Sequence, residues 1–78
     1  MLTGKRFRLK TAILGIETID ARRVAVEIPK GATVEVTAGP SQTDRRMVDT
    51  LWNGRTVVMF AQDITERAEQ VTRKVANR

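Results

Sequence analysis

The dipeptide Asn53-Gly54 is the strongest local constraint on how this chain can fold. It separates two β-prone runs, residues 46–52 and 55–61. A type I′ turn needs positive φ at both central residues, and Asn followed by Gly meets that need better than most pairs. The sequence therefore predicts a β-hairpin with a two-residue loop, and this loop length also determines which residues lie opposite each other.

The predicted register gives the hairpin two faces that are both largely apolar. On one face the pairs are Trp52/Arg55, Thr50/Val57 and Val48/Met59. On the other they are Leu51/Thr56, Asp49/Val58 and Met47/Phe60. Because monomers rarely expose a large apolar patch, we expect the second face to meet the C-terminal helix or another subunit. The predicted interface residues are Met47, Leu51, Val58 and Phe60.

Alternation of apolar and polar residues predicts three strands before this hairpin. They cover residues 6–13, 23–28 and 33–37. The Asp20-Ala21 segment makes the first two a hairpin, and residues 29–31 end the second. Part of the first run also shows helical spacing, but Gly15 and its β-branched neighbours disfavour a helix. Residues 39–44 have the composition of an exposed loop.

Beyond Gln62 the spacing of apolar residues becomes helical. The stripe consists of Ile64, Ala68, Val71 and Val75. Asp63 and Glu66 have the spacing of a capping box, and Glu69 and Arg73 have the i,i+4 spacing of an ion pair. The pattern predicts a helix over about residues 63–76 that docks through a narrow apolar stripe on the sheet or on a partner.

Five strands and one helix in 78 residues predict a single small domain over residues 1–78. A closed barrel or a strongly bent sheet is favoured, because a flat open sheet leaves edge strands unpaired. The expected fold is mainly β, a small five-stranded antiparallel barrel or bent sheet of SH3-like type with a C-terminal α-helix. A domain of this size buries only about 60% of its unfolded surface, and this one has no cysteine, so we expect either marginal stability or self-association.

The residue types that carry most enzyme chemistry are missing. The chain has no His, Cys or Tyr and a single Ser, Ser41, so it lacks the usual general base, thiolate nucleophile and zinc ligands. Seven of its nine acidic residues fall into groups: Glu17/Asp20, Glu27/Glu35 across a second hairpin, and Asp63, Glu66 and Glu69 on the helix. We interpret these acids as capping and surface charges. The sequence thus predicts no enzyme, no cofactor and no metal.

The charge balance leaves a second kind of partner open. Lys and Arg total 14 against nine Asp and Glu, a net charge of +5. Such a surface keeps a small protein soluble, and it also suits the phosphate backbone of RNA or DNA. The candidate nucleic-acid residues are the N-terminal basic run and two Arg doublets: Lys5, Arg6, Arg8, Lys10, Arg22, Arg23, Arg45 and Arg46. Trp52 and Arg55 flank the predicted turn, where we expect a cation–π contact.

Two hypotheses follow from the residues alone. The longest apolar run, residues 57–61, is far short of the ~20 residues that span a bilayer, and no signal-peptide core follows the basic N-terminus, so we expect a cytoplasmic protein without a membrane partner. The first hypothesis is a non-enzymatic interaction module that self-associates or docks on a protein partner. The alternative is a nucleic-acid-binding protein without sequence specificity.

Overall fold

Seven antiparallel strands and one short helix contain most of residues 2–40 and 45–71, the residues that this computed structural model describes. The elements are β1 (Arg6–Leu9), β2 (Ile13–Ile19), β3 (Arg22–Ile28), β4 (Thr33–Ala38), β5 (Met47–Trp52), β6 (Arg55–Phe60), α1 (Ala61–Arg67) and β7 (Ala68–Gln70). The strands form one sheet in the order β3-β2-β6-β5-β4-β1-β7. The predicted mainly-β fold with one helix toward the C-terminus is confirmed.

The predicted closed barrel is wrong, because the sheet is open and β3 and β7 are its edges. The five-stranded, SH3-like arrangement is not confirmed either. One additional strand arises because the predicted run 6–13 divides: β1 ends at Leu9 and β2 begins at Ile13. Between them the Lys10 amide donates to the Arg67 carbonyl (N···O 2.7 Å) and not to a strand partner. The sequence alternation that predicted the strand continues through residues 10–12, so periodicity alone could not reveal this bend.

Both predicted hairpins form. Asn53 and Gly54 have φ of 52° and 76°, as a type I′ turn requires, and all six predicted pairs of β5 and β6 are in register. Asp20 and Ala21 have φ of 51° and 66° and join β2 to β3 over seven pairs. These two connections are local, which is why the sequence predicts them.

The expected approach of Glu27 to Glu35 is wrong. β3 and β4 are not neighbours, since β2, β6 and β5 lie between them in the sheet. Gly31, with φ 88°, turns the chain after β3, and its amide donates to the Leu9 carbonyl (N···O 2.9 Å). β4 then pairs with β1 and β5, and Glu35 lies opposite Arg6.

The helix begins two residues earlier than predicted. Its N-cap is Phe60, which makes no side-chain cap hydrogen bond, so the predicted capping box of Asp63 and Glu66 is wrong. The amide of Ala61 donates instead to the carbonyl of Arg46 (N···O 2.7 Å), which anchors the first turn to the residue before β5. A backbone contact between distant residues therefore sets where the helix starts.

The helix also ends earlier than predicted, at Arg67. Residues 68–70 form β7, because the open side of β1 offers them backbone partners. Ile64 and Ala68 of the predicted stripe are both buried in the core. The remaining part of the predicted helix, with Arg73 and Val75, lies outside the described residues, as do loop residues 41–44.

One face of the sheet and one side of α1 enclose the core. α1 contacts both β6 and β1, which lie three positions apart in the sheet, so the sheet curves around the helix. The buried hydrophobic residues are Phe7, Leu9, Ile13, Ile28, Val34, Val36, Val48, Val57, Met59, Ile64 and Ala68. Thr50 is also buried, and its hydroxyl donates to the Val57 carbonyl (O···O 2.7 Å), which satisfies the polar group. The side chains on the opposite face of the sheet point away from this core.

Candidate functional site

The four interface residues predicted from the sequence lie on the face of β5 and β6 that points away from the core. Phe60 is 47% exposed and Leu51 is 40% exposed, and Met47 and Val58 are half-buried. The alternate residues of the same strands, Val48, Thr50, Val57 and Met59, are buried. The hairpin therefore has one core face and one largely apolar outer face.

β2 extends this outer face. Ile16 lies opposite Val58, and the antiparallel register then brings Leu14 beside Phe60. Leu14 is 64% exposed, more than any other large hydrophobic residue in the described part of the chain. We use the name outer patch for the group Leu14, Ile16, Met47, Val58 and Phe60. Ala25 of β3 lies opposite Ile16, so the small apolar surface continues to the edge of the sheet.

Leu51 lies at the margin of the outer patch. Its neighbours on the two adjacent strands are Thr56 and Glu35, which are polar. The sequence reasoning missed Leu14 and Ile16, because it traced the alternation of the first strand only as far as residue 13. The signal was present in the consecutive apolar residues 13–14, since neighbouring residues of a strand point to opposite faces.

The helix packs on the opposite face from the outer patch. Ile64 of α1 is fully buried in the core, and α1 contacts β1, β6 and β7. From the sequence, either the C-terminal helix or another subunit was expected to cover the outer face. The described part of the helix leaves Leu14 and Phe60 exposed.

A charged cluster lies on the core side of the sheet near the β5–β6 turn. Arg55 donates to Glu17 from Nε to Oε2 (2.7 Å) and from Nη2 to Oε1 (2.5 Å), and its Cζ is 5.3 Å from the ring centroid of Trp52. The predicted cation–π contact is present, whereas the ion pair was not predicted. The hydrogen bond from Arg55 lowers the pKa of Glu17, against an opposing effect of desolvation. Glu17 is thus ionised near neutral pH and joins β2 to the first residue of β6.

Two further acids also pair with arginine. Arg8 Nη2 donates to Glu69 Oε2 (2.7 Å), which joins β1 to β7, and this hydrogen bond lowers the pKa of Glu69. Asp63 Oδ1 lies 3.8 Å from Arg67 Nε within α1. The interpretation of the acids as surface charges thus holds for Asp63 and Glu69, with Arg8 as the partner of Glu69.

The candidate nucleic-acid residues fall into separate groups. The N-terminal run follows β1 and its flanks, whereas Arg22 and Arg23 lie on β3 at one edge of the sheet. Four strands separate β3 from β1, a distance of about 24 Å along the sheet. Arg45 and Arg46 immediately precede β5. The sheet therefore does not bring the run and the first doublet together.

A groove of about 300 Å³ lies beside the N-terminal run. Its lining residues are Gly4, Lys5, Arg6, Glu35, Gln70 and Val71. Cations and a carboxylate face the same space, since Arg6 lies opposite Glu35. Because the charges are mixed, the groove favours neither an anionic nor a cationic ligand.

Comparison with known proteins found no match among family models, curated proteins or solved structures. Within the part of the chain that the structure describes, α1 is the only helix, and neither its length nor its composition would let it cross a membrane.

Proposed function

We propose that this protein is a non-enzymatic interaction module that binds a protein surface, a second copy or a different protein, through the outer patch. The observation that carries the proposal is the exposure of Leu14 and Phe60, which belong to the neighbouring strands β2 and β6, on the face opposite α1. Met47 lies opposite Phe60 and Ile16 lies opposite Val58, so these apolar residues adjoin each other, with the half-buried Asp49 opposite Val58 at their border. Single exposed apolar residues are common, but contiguous apolar patches mark interaction sites.

The face of a sheet suits a macromolecular partner better than a small molecule. Small molecules bind in concave pockets that bury most of their surface, whereas side chains on a sheet face stand outward from it. Complete burial of a Leu or Phe side chain contributes about 1.5–3 kcal/mol relative to full exposure. Leu14 and Phe60 retain about half or more of their exposed area, so they are the expected energetic centre of the interface.

The state of the acids supports a role without catalysis. Hydrogen bonds from Arg55 and Arg8 lower the pKa values of Glu17 and Glu69, so these carboxyl groups are ionised near neutral pH and are poor proton donors. The whole chain also lacks His, Cys and Tyr. These features favour binding over bond-making chemistry.

The test compares the outer patch with a matched position on the other face. The double variant Leu14→Thr, Phe60→Thr removes apolar surface but keeps residues that favour strands. Ile19→Thr is the control, because Ile19 lies in the same strand as Leu14, is 47% exposed and points to the other face. Sedimentation velocity over the micromolar range measures assembly for the wild type and both variants.

Two outcomes support the proposal and distinguish the partner. If the patch joins two copies, the wild type and Ile19→Thr sediment as oligomers and the double variant as an 8.7 kDa monomer. If the patch binds a different protein, all three are monomers, and cross-linking in cells recovers a partner with the wild type and Ile19→Thr but not with the double variant. Identical behaviour of all three proteins in both measurements would overturn it.

Nucleic-acid binding is the alternative function, and the net charge of +5 supports it. A single phosphate backbone would have to cross four strands to reach both Arg22 and Arg6. The measurement is binding of mixed RNA and DNA at 50 and 200 mM salt. If the protein contacts the phosphate backbone, its affinity must fall steeply between these two salt concentrations. The absence of binding at 50 mM salt would exclude nucleic-acid binding.

A further inference from the structure

β3 lies at one edge of the sheet, and its open side has backbone groups and charged side chains that suit pairing with another strand. Only β2 pairs with it, along all seven residues from Arg22 to Ile28. An edge of this length is a template for another strand unless charges or prolines block it. Arg23 and Glu27 are exposed on this edge, and within the described residues neither has an ion-pair partner.

The hairpin turn determines which backbone groups of β3 are open. A two-residue type I′ turn makes the flanking residues, Ile19 and Arg22, a hydrogen-bonded pair, and hydrogen-bonded pairs then alternate along the ladder. The even-numbered residues of β3 therefore direct their N–H and C=O groups toward β2. Arg23, Ala25 and Glu27 direct theirs to the open edge.

We propose that β3 pairs with β3 of a second copy of this chain, antiparallel, about a two-fold axis at Ala25. This register places Ala25 opposite Ala25 and Arg23 opposite Glu27 of the other copy, twice. All open N–H and C=O groups of the edge are then paired. The inference goes beyond the proposed function, because it uses the backbone edge and its charges and does not require the outer patch.

Charge complementarity selects this register from its alternatives. An axis at Arg23 or at Glu27 would set two like charges directly opposite each other, which is unfavourable. Moving the axis by one residue from Ala25 in one direction would place an open residue of β3 opposite Ala21 of the turn. Moving it by one residue in the other direction would place an open residue opposite Pro29, which has no N–H. Only the axis at Ala25 matches every open residue of β3 with another open residue.

The side chains of both faces also match in this register. Val24, which is 40% exposed, lies opposite Val26 of the other copy on the core side of the sheet. On the outer side, Ala25 of each copy adjoins Ile16 of its own chain, so the apolar faces of the two copies become continuous. The second copy therefore gains apolar contact as well as hydrogen bonds and two ion pairs.

Charge reversal tests the register. We expect Arg23→Glu and Glu27→Arg each to raise the dimer dissociation constant at least about tenfold, because each creates two like-charge pairs. The double variant Arg23→Glu, Glu27→Arg restores opposite charges and should return the constant to near the wild-type value. Arg22→Glu is the matched control, since it changes the net charge by the same amount but has Ile28 opposite it in this register. Sedimentation equilibrium of the full chain measures all five proteins.

A cross-link tests the axis directly. The chain has no cysteine, so Ala25→Cys introduces a single thiol. Residues in a hydrogen-bonded pair have Cα atoms about 5.5 Å apart, within the range of a disulfide. Mild oxidation should therefore join two Ala25→Cys chains, whereas Thr18→Cys, exposed on neighbouring β2, should stay largely monomeric.

Three results would overturn the inference. They are a wild-type monomer at several hundred micromolar, a dimer that Arg23→Glu does not weaken, or a charge-swapped double variant that remains weakened. A dimer that dissociates only with Leu14→Thr, Phe60→Thr would overturn the β3 pairing but support the proposed function. Loss of dimerisation in Arg23→Glu with the patch variant unaffected would support the β3 pairing alone.

Discussion

Glu17 and Arg55 are 38 positions apart in the sequence and are joined by two hydrogen bonds of 2.7 and 2.5 Å. The two parallel contacts use the fork of the guanidinium, a geometry that a lysine cannot reproduce. Arg55 also lies over Trp52, so one side chain connects β2, β5 and β6. This connection holds the β2–β3 hairpin to the rest of the sheet near the turn of the β5–β6 hairpin.

Neutralising Glu17 should destabilise the fold. Glu17→Gln retains the size of the side chain but removes the negative charge that accepts both bonds from Arg55, and we expect the melting temperature to fall by a few degrees. Glu66→Gln is the control, because Glu66 is exposed on α1 and Gln can still accept a bond from Gln62. Thermal unfolding followed by circular dichroism provides the comparison. Equal melting temperatures for the two variants would contradict a stabilising role for the pair.

The same pair predicts a pH dependence of stability. The hydrogen bond from Arg55 lowers the pKa of Glu17 in the folded protein, so the unfolded chain binds a proton at a higher pH than the folded one. The stabilisation is therefore complete above the ordinary glutamate pKa of about 4.3 and is lost as the pH falls through the lowered folded pKa. Glu69 beside Arg8 acts in the same direction. Between pH 7 and about pH 3, the wild type should lose more stability than Glu17→Gln, and parallel losses would contradict this assignment.

Gly54→Val should destabilise the β5–β6 hairpin through backbone strain. Gly54 has φ 76°, and a Cβ built there meets no atom within 4 Å, so collision is not the cause. A β-branched residue in this conformation costs about 1–3 kcal/mol, and each ~1 kcal/mol lowers the melting temperature of a small domain by roughly 4–8 °C. Thr56→Val introduces the same side chain at an exposed strand position as a control. Fluorescence of Trp52 reports on the same hairpin, and an unchanged melting curve for Gly54→Val would refute the strain.

Ile64→Ala should show that α1 belongs to the core and not to the outer face. Ile64 is fully buried, and removing three carbon atoms from such a site costs about 2–5 kcal/mol. Thr65→Ala, at the next and exposed position of the helix, should change the stability by less than about 1 kcal/mol. Urea unfolding measures both. Similar stabilities of the two variants would mean that the helix does not pack on the core as described.

The features that were predictable are those that depend on neighbours in the sequence. Asn53-Gly54 determined a turn type, and the turn determined the pairing of Met47 with Phe60 and of Asp49 with Val58. The outer face of this hairpin, with Met47, Val58 and Phe60, followed from the same register. The turn residues alone therefore predicted the part of the candidate site that lies on β5 and β6.

The features that were missed depend on partners far away in the chain. Nothing in the residues around Leu9 indicates that β1 pairs with β4 and β7 while β2 joins β6, so the break between β1 and β2 was invisible. The stripe of Ile64 and Ala68 fits a helix, but β1 supplies a strand partner that periodicity cannot include. The sequence of residues 13–14 could have shown that Leu14 faces outward, but its place in the candidate site depends on the pairing of β2 with β6, which the sequence does not indicate.

The pairing of Phe7 with Gln70 has a consequence for how the protein is made. β1 leaves the ribosome before every other strand in the described sheet, and β7 leaves last. During synthesis β1 therefore has β4 on one side and a bare edge on the other until residues 68–70 emerge. Translation that stops before this point would release a chain whose β1 backbone, at Arg6–Leu9, has unpaired N–H and C=O groups that can pair with another chain. Synthesis of the three residues of β7 is therefore the step that covers this edge.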